Sequence, residues 1–203
     1  MPRRKTNGDD RLRRVLAQEA ARIIVDHGIR DYRVAKIKAA ERLGMNARGA
    51  LPGNAEIERA VGEHLELFGR ESHGDFLRLM RRAALSAMEL LAPFTPRLVG
   101  PVLNGTADSH SAVNLHVFAD SAEAVAFALA DSGHWYRSFE RRLQSRRGRT
   151  DTYAGFEFVR DDTPIEVTVF PVDGIRQAPI SPIDRKPMRR ADARAVHALL
   201  EGG

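Results

Sequence analysis

Two prolines, Pro93 and Pro96, divide this sequence into stretches that obey different periods. Ahead of them, apolar residues recur every three or four positions, the spacing of a helix with one buried stripe. Behind them the spacing shortens to two, the period of a strand. Proline lacks the amide hydrogen that a helix interior requires, so the helical pattern has to end there. A run of helices followed by a run of strands predicts an α+β fold with a mixed sheet, not a doubly wound parallel one.

In the front stretch, Asp9 or Asp10 is placed to cap a helix reaching about His27, with Leu12, Val15, Leu16, Ala20, Ile23 and Ile24 at helical spacing. Gly28 ends it. Asp31 is the candidate cap of a second helix that stops at Gly44. A linker over residues 47–53 precedes a third helix, Ala55–Phe68, with Asn54 as its cap, and a fourth spans about Asp75–Leu91. In the back stretch, Arg97–Leu103 reads as a short apolar strand. Val113–Phe118 alternates, with Val113, Leu115 and Val117 on one face and Ala112, Asn114, His116 and Phe118 on the other. Ser121 is placed to cap a helix to Asp131. Tyr153–Arg160 and Pro164–Phe170 read as strands joined by a hairpin turn at Asp161-Asp162. Pro171–Pro187 reads as a surface loop, and Asp192–Glu201 as a last helix. The expected organisation is a flexible basic tail over 1–9, a helical region over 10–92 and an α+β domain over 93–203.

With 203 residues and 43% hydrophobic residues the chain has enough material for a core. It contains no cysteine, which excludes a disulfide framework and Cys-ligated zinc or iron–sulfur sites. No apolar run is long enough to span a membrane, and the basic N-terminus lacks the apolar stretch of a signal peptide, so a cytoplasmic location is expected. Charge is unevenly placed. Residues 1–50 hold 13 Lys and Arg against 6 Asp and Glu, a net of +7, while the remainder is at −2. Such a front suggests an anionic partner or simply a solvated Arg-rich surface.

The segment Leu103–Phe118 carries the clearest chemical signal. A Gly105-Thr106 pair follows an apolar stretch, a strand with alternating polar positions follows the pair, and Glu166 sits on a later strand. This arrangement, over about residues 85–170, resembles the polymerase-β-type nucleotidyltransferases. The resemblance implies a nucleotidyltransferase-like sheet in which a Gly-Ser loop holds the triphosphate, an Asp-x-Asp holds magnesium, and a third carboxylate completes the site. The Gly-Ser falls on Gly105-Thr106, the Ser-Asp-x-Asp on Ser111-Ala112-Val113-Asn114, and the third carboxylate on Glu166. Ala112 has no ligand atom and Asn114 offers a neutral carbonyl, so magnesium binding and nucleotidyl transfer are both placed in doubt. A looser resemblance is to bacterial proteins of about this length whose strand reads closer to Ser-Asp-x-x-Leu-His. An ATP-dependent ligase is not expected, because no Gly-Lys-Thr/Ser phosphate loop is present.

Other residues admit several readings. Asp108, His110 and His116, with Glu166, have the donor types of a transition-metal site. His116 is alternatively a general base, a phosphate contact or a hydrogen-bonded structural histidine. Arg137–Arg149 holds six arginines, of which Arg141 and Arg142 are candidates to bind phosphate. Trp135, Tyr136 and Phe139 have the ring faces to stack on a base, and alternatively Trp135, Phe139 and Leu143, at four-residue spacing, read as a buried helical stripe. The first two helices trace a helix-turn-helix outline, with Arg33, Lys36, Lys38 and Arg42 on the second.

Three functions follow from these readings. The first is a nucleotidyltransferase-like protein with a degenerate metal motif that binds a nucleotide or nucleic acid phosphate, its site formed by Asn114, His116 and Glu166 with Gly105, Thr106, Ser111, Arg141 and Arg142. The second is an active transferase with relocated carboxylates drawn from Asp108, Glu157 and Glu166. The third is a non-enzymatic DNA- or RNA-binding regulator acting through the basic N-terminal helices.

Overall fold

The structure is a computed structural model that describes residues 7–45, 51–68, 70–145 and 148–201. The chain is α+β, with a helical front followed by a mixed sheet flanked by helices. Its described residues divide into two compact units. One gathers the residues up to His73 together with Asp108–His110 and Pro182–Asp184, and the other holds the rest, starting at Gly74.

The first unit is built on α1 (Asn7–His27), α2 (Tyr32–Arg42) and α3 (Asn54–Phe68). Alanine is what lets these helices approach closely: Ala17, Ala20, Ala21, Ala35, Ala39, Ala40 and Ala60 are all buried, with Leu16, Ile23, Ile57 and Val61 filling the remaining space. Helix α1 starts at Asn7, so the expected tail is helical over 7–9, while residues 1–6 lie outside the described residues. Gly28 and Gly44, both at positive φ, follow α1 and α2. Asp31 caps α2 by accepting from the amides of Arg33 and Val34. At α3 the cap is Gly53 and not Asn54. The Gly53 carbonyl accepts from the amides of Glu56 and Ile57, and the Glu56 carboxylate accepts from the Gly53 amide at 2.6 Å.

In the second unit α4 (Arg70–Leu90), from Gly74 onward, lays Leu77, Met80, Ala84, Ala87 and Met88, then Leu91, into the main core. The sheet runs in the order β1-β2-β5-β4-β3, with β1 Arg97–Val99, β2 Val113–Phe118, β3 Tyr136–Gln144, β4 Thr150–Arg160 and β5 Thr163–Phe170. Only β2 and β5 pair in parallel; the other neighbours are antiparallel. One face of the sheet is apolar, with Leu98, Val113, Leu115, Val117, Ile165, Val167, Phe156 and Phe158 buried in the same cluster as α4, Val125 and Leu129 of α6 (Ala122–Asp131), and Val196 of α7 (Ala193–Glu201). Ser121 and Asp192 cap these last two helices by accepting from the amides of Ala124 and Ala195. Asp161 and Asp162 both take positive φ, the backbone of a two-residue hairpin turn.

Two further expectations change. The stretch 97–103 is not one strand: β1 stops at Val99, and α5, a single turn over Pro101–Asn104, follows Gly100. Proline suits the first helical position, where the missing amide costs nothing. The four-residue spacing of Trp135, Phe139 and Leu143 does not mark a helix: Phe139 and Leu143 lie in strand β3, and Trp135 stands just ahead of it, 94% exposed instead of buried. Phe139 pairs in register with Gly155, and a Cβ on Gly155 would lie 2.4 Å from the Phe139 ring and 2.8 Å from the Val167 carbonyl oxygen. Gly155→Ala is therefore expected to destabilise the fold by about 2 kcal/mol or more, read from the urea midpoint. Phe139→Ala in the same chain should restore only part of that loss, because the Val167 backbone cannot move aside.

Candidate functional site

The second face of the sheet is polar, and register fixes which groups meet there. The parallel seam pairs Asn114 with Glu166, His116 with Thr168 and Phe118 with Phe170. Side chains alternate, so these six residues share the face opposite the core. Across β5, Glu157 stands opposite Glu166, and Gly155 stands opposite Thr168. On β3, Arg137, Phe139 and Arg141 pair with Glu157, Gly155 and Tyr153 and join the same face.

Gly155 decides how this face is wired. The ring of Phe139 lies over it, in space that any side chain would fill. The Arg141 guanidinium stacks on that ring with its Cζ 5.0 Å from the centroid. From there it reaches across β4, donating from Nη1 to Asn114 Oδ1 at 3.1 Å and from Nη2 to Glu166 Oε2 at 2.5 Å. Both partners of the ion pair are largely shielded from solvent. The Asn114 amide nitrogen donates to the Ala112 carbonyl at 3.0 Å, so Asn114 is oriented at both ends. Glu157 and Glu166 would repel as directly opposed carboxylates, but Arg137 holds Glu157 at 2.5 Å while Arg141 holds Glu166.

The turn behind β1 borders this cluster. Gly100 has φ 74° and ψ −153°, a conformation that essentially only glycine adopts, and a Cβ there would meet the Asn114 side chain at 3.6 Å. Gly105 has nothing within 4 Å of the corresponding position, and the amides of Gly105 and Thr106 donate to the Pro101 carbonyl at 2.8 and 3.0 Å. The glycine that abuts Asn114 is thus Gly100, and the Gly105-Thr106 pair closes the helical turn of α5. Ser111 is half-buried just ahead of β2.

His116 is 1% exposed. Its Nδ1 accepts from Arg190 Nε at 3.1 Å, which leaves the proton on Nε2, and its ring lies 4.5 Å from Phe170. Burial, then the positive charges of Arg190 and Arg141, push its pKa down to about 3. The histidine is therefore a buried neutral acceptor. Arg190 carried no signal in the sequence. It reaches the face because the tail returns to β1, where the Ala191 amide and carbonyl bond the carbonyl and amide of Leu98 at 2.9 and 2.8 Å.

The remaining candidates are dispersed. Asp108 and His110 belong to the first unit, where the Asp108 carboxylate accepts from the His110 amide at 2.9 Å and Arg30 donates to the His110 carbonyl at 2.6 Å. Of the four candidate metal donors, Asp108 and His110 thus fall in the first unit and His116 and Glu166 in the second. Among the described residues no group of three or more His, Asp or Glu is placed to hold a metal ion. The pleat of β3 sends Arg142 to the face opposite Arg141. Arg146 and Arg147 lie outside the described residues. Part of the basic front is paired within its own unit: Arg13 with Glu56, Arg42 with Glu19, and Lys36 with the Asn54 side chain. No helix among the described residues is long and apolar enough to cross a membrane.

No protein-family model matches the sequence, and no curated protein matches it.

The depressed His116 pKa has a definite pH signature. The unfolded histidine takes up a proton near its ordinary value of about 6.5, while the folded one resists until about 3, so its contribution is complete above 6.5 and is lost as pH falls. Between about pH 7 and pH 4.5 the stability difference between the native chain and His116→Asn should shrink by roughly 2–3 kcal/mol in urea unfolding, because asparagine keeps an acceptor for Arg190 but does not titrate.

Proposed function

We propose that the second unit is a nucleotidyltransferase-like module that binds a nucleotide, or the phosphate of a nucleic acid, without a catalytic metal. The observation that carries this reading is the Arg141 guanidinium spanning Asn114 and Glu166. These are two of the three positions that the resemblance assigns to metal-binding carboxylates, and register brings them side by side.

The donor set argues against magnesium. A two-metal site needs several anionic oxygens around hard cations. Here the first position is Ala112, buried and apolar, the second is a neutral amide, and the third carboxylate is already matched by an arginine. The cluster sums to about zero charge without any ion. A guanidinium fixed by a carboxylate and an aromatic ring is pre-oriented to offer donors to phosphate oxygens. The turn that the resemblance reserves for phosphate follows the first strand directly, and Gly100-Pro101 holds that place. The bare backbone of Gly100 beside Asn114 is suited to close approach by a ligand.

The reading is tested by titrating adenosine triphosphate into the whole protein with magnesium or with a chelator. Affinity should agree within about twofold between the two conditions, and no pyrophosphate or phosphate should be released. Arg141→Gln should weaken binding about tenfold, equivalent to about 1.4 kcal/mol, while Glu166→Gln should not weaken it. Absence of binding in both conditions sinks the proposal, and magnesium-dependent turnover lost in Glu166→Gln would favour an active transferase instead.

A further inference from the structure

Farther along the same sheet face, Arg190 is held by three kinds of partner, none of them anionic. Its Nε donates to His116 Nδ1 at 3.1 Å, and its Nη1 donates to the carbonyls of Gly174 and Ile175 at 2.8 and 3.3 Å. The rings of Phe118 and Phe170 each lie 5.0 Å from its Cζ. Its Nη2 is buried with no acceptor among the described residues, and no described Asp or Glu forms an ion pair with it. A second cation stands beside it. Arg97 is the register partner of His116 on β1, and among the described residues it donates to the carbonyls of Thr95 and Pro96, at 3.2 and 2.9 Å. Burial, and after it repulsion from the Arg97 guanidinium, lowers the Arg190 pKa to about 10. On the adjacent strand Thr168 Oγ1, in register with His116, is also buried without a partner. Tyr153, whose ring lies 4.4 Å from Phe170, adds a hydroxyl to this end of the face.

Two neighbouring, partly buried cations clamped by neutral acceptors are costly to fold, because no carboxylate among the described residues pairs with them to offset their desolvation. Such an arrangement is stabilised when a ligand supplies the counter-charge. We propose that Arg97 and Arg190 form a receptor for a phosphate group at the Phe118–Phe170 end of the polar sheet face. A dianionic phosphate matches the double positive charge, and its several oxygens suit the unused donor of a planar guanidinium. The aromatic walls hold the Arg190 fork in one orientation, so it is ready for that ligand before binding. This site is distinct in its residues from the Arg141 cluster, and its existence does not rest on the nucleotidyltransferase-like reading.

The experiment compares thermal unfolding and calorimetric titration of the full chain in sodium phosphate with sodium chloride at equal ionic strength. Phosphate should raise the melting temperature and bind at one site, and chloride should do neither. Arg190→Lys keeps the charge but loses the fork, and Arg97→Gln removes a charge without touching His116; each should weaken phosphate binding about tenfold. Arg141→Gln should leave it unchanged. In the Arg141→Gln chain, adenosine monophosphate binding more tightly than inorganic phosphate identifies an ester as the occupant, equal affinities identify the free anion, and either result supports the receptor. Circular dichroism checks that each variant is folded, and if Arg190→Lys does not fold, Arg97→Gln decides. No phosphate-dependent shift in the native chain overturns the proposal, as does a shift that survives in every folded variant of Arg97 and Arg190. Loss of the shift in Arg141→Gln also overturns it and moves the phosphate to the other cluster.

Discussion

The parallel pairing of β2 with β5 is the constraint on which the second unit depends. A single seam fixes both faces at once. On one side it stacks Val113, Leu115 and Val117 against Ile165, Val167 and Val169, which together form the centre of the core. On the other it aligns Asn114, His116 and Phe118 with Glu166, Thr168 and Phe170. A slip of one residue would turn the charged row into the core and the aliphatic row into solvent, so burial of the aliphatic row specifies the register of the polar one. The geometry of the candidate site is thus set by hydrophobic forces acting on residues that take no part in it.

Gly155 works at the next level. By carrying no side chain it gives Phe139 a place to lie, Phe139 gives Arg141 a surface to stack on, and Arg141 crosses a whole strand to reach β2 and β5. Three residues on two antiparallel strands deliver one guanidinium to one place. The return of the tail to β1 does the same for Arg190, whose backbone neighbour Ala191 is bonded on both sides to Leu98. In both cases a charge is brought to the sheet face from outside the central seam.

Much of this fold is legible in the sequence where the determinant is local. Asp31 and Ser121 cap their helices, the Asp161-Asp162 turn joins β4 to β5, and the alternation over Val113–Phe118 marks β2, because each depends on residues within a few positions. The failures have equally physical causes. A short apolar run behind Pro96 is compatible with a strand or a helical turn, and Pro101, being acceptable at a helix start, did not decide between them. Strand β3 is at the sheet edge and buries little, so its arginines and spaced aromatics imitate a helical stripe. The convergence of Asn114 with Glu166 could be anticipated from a resemblance. Arg141 is legible as a candidate phosphate contact, but its pairing with Glu166 across 25 residues of sequence is not, and Arg190, which reaches His116 across 74, carries no signal at all.

The ion pair between Arg141 and Glu166 has a further consequence for whatever visits the face. A newcomer does not find an idle cation; it meets one already engaged, and must share its donors or displace a carboxylate. A small spherical halide gains little from that exchange, whereas an oxyanion with several acceptors recovers what it disrupts. On the proposed reading the internal carboxylate would be a resident competitor, a threshold that sorts anions by shape and valence before any surrounding residue is consulted.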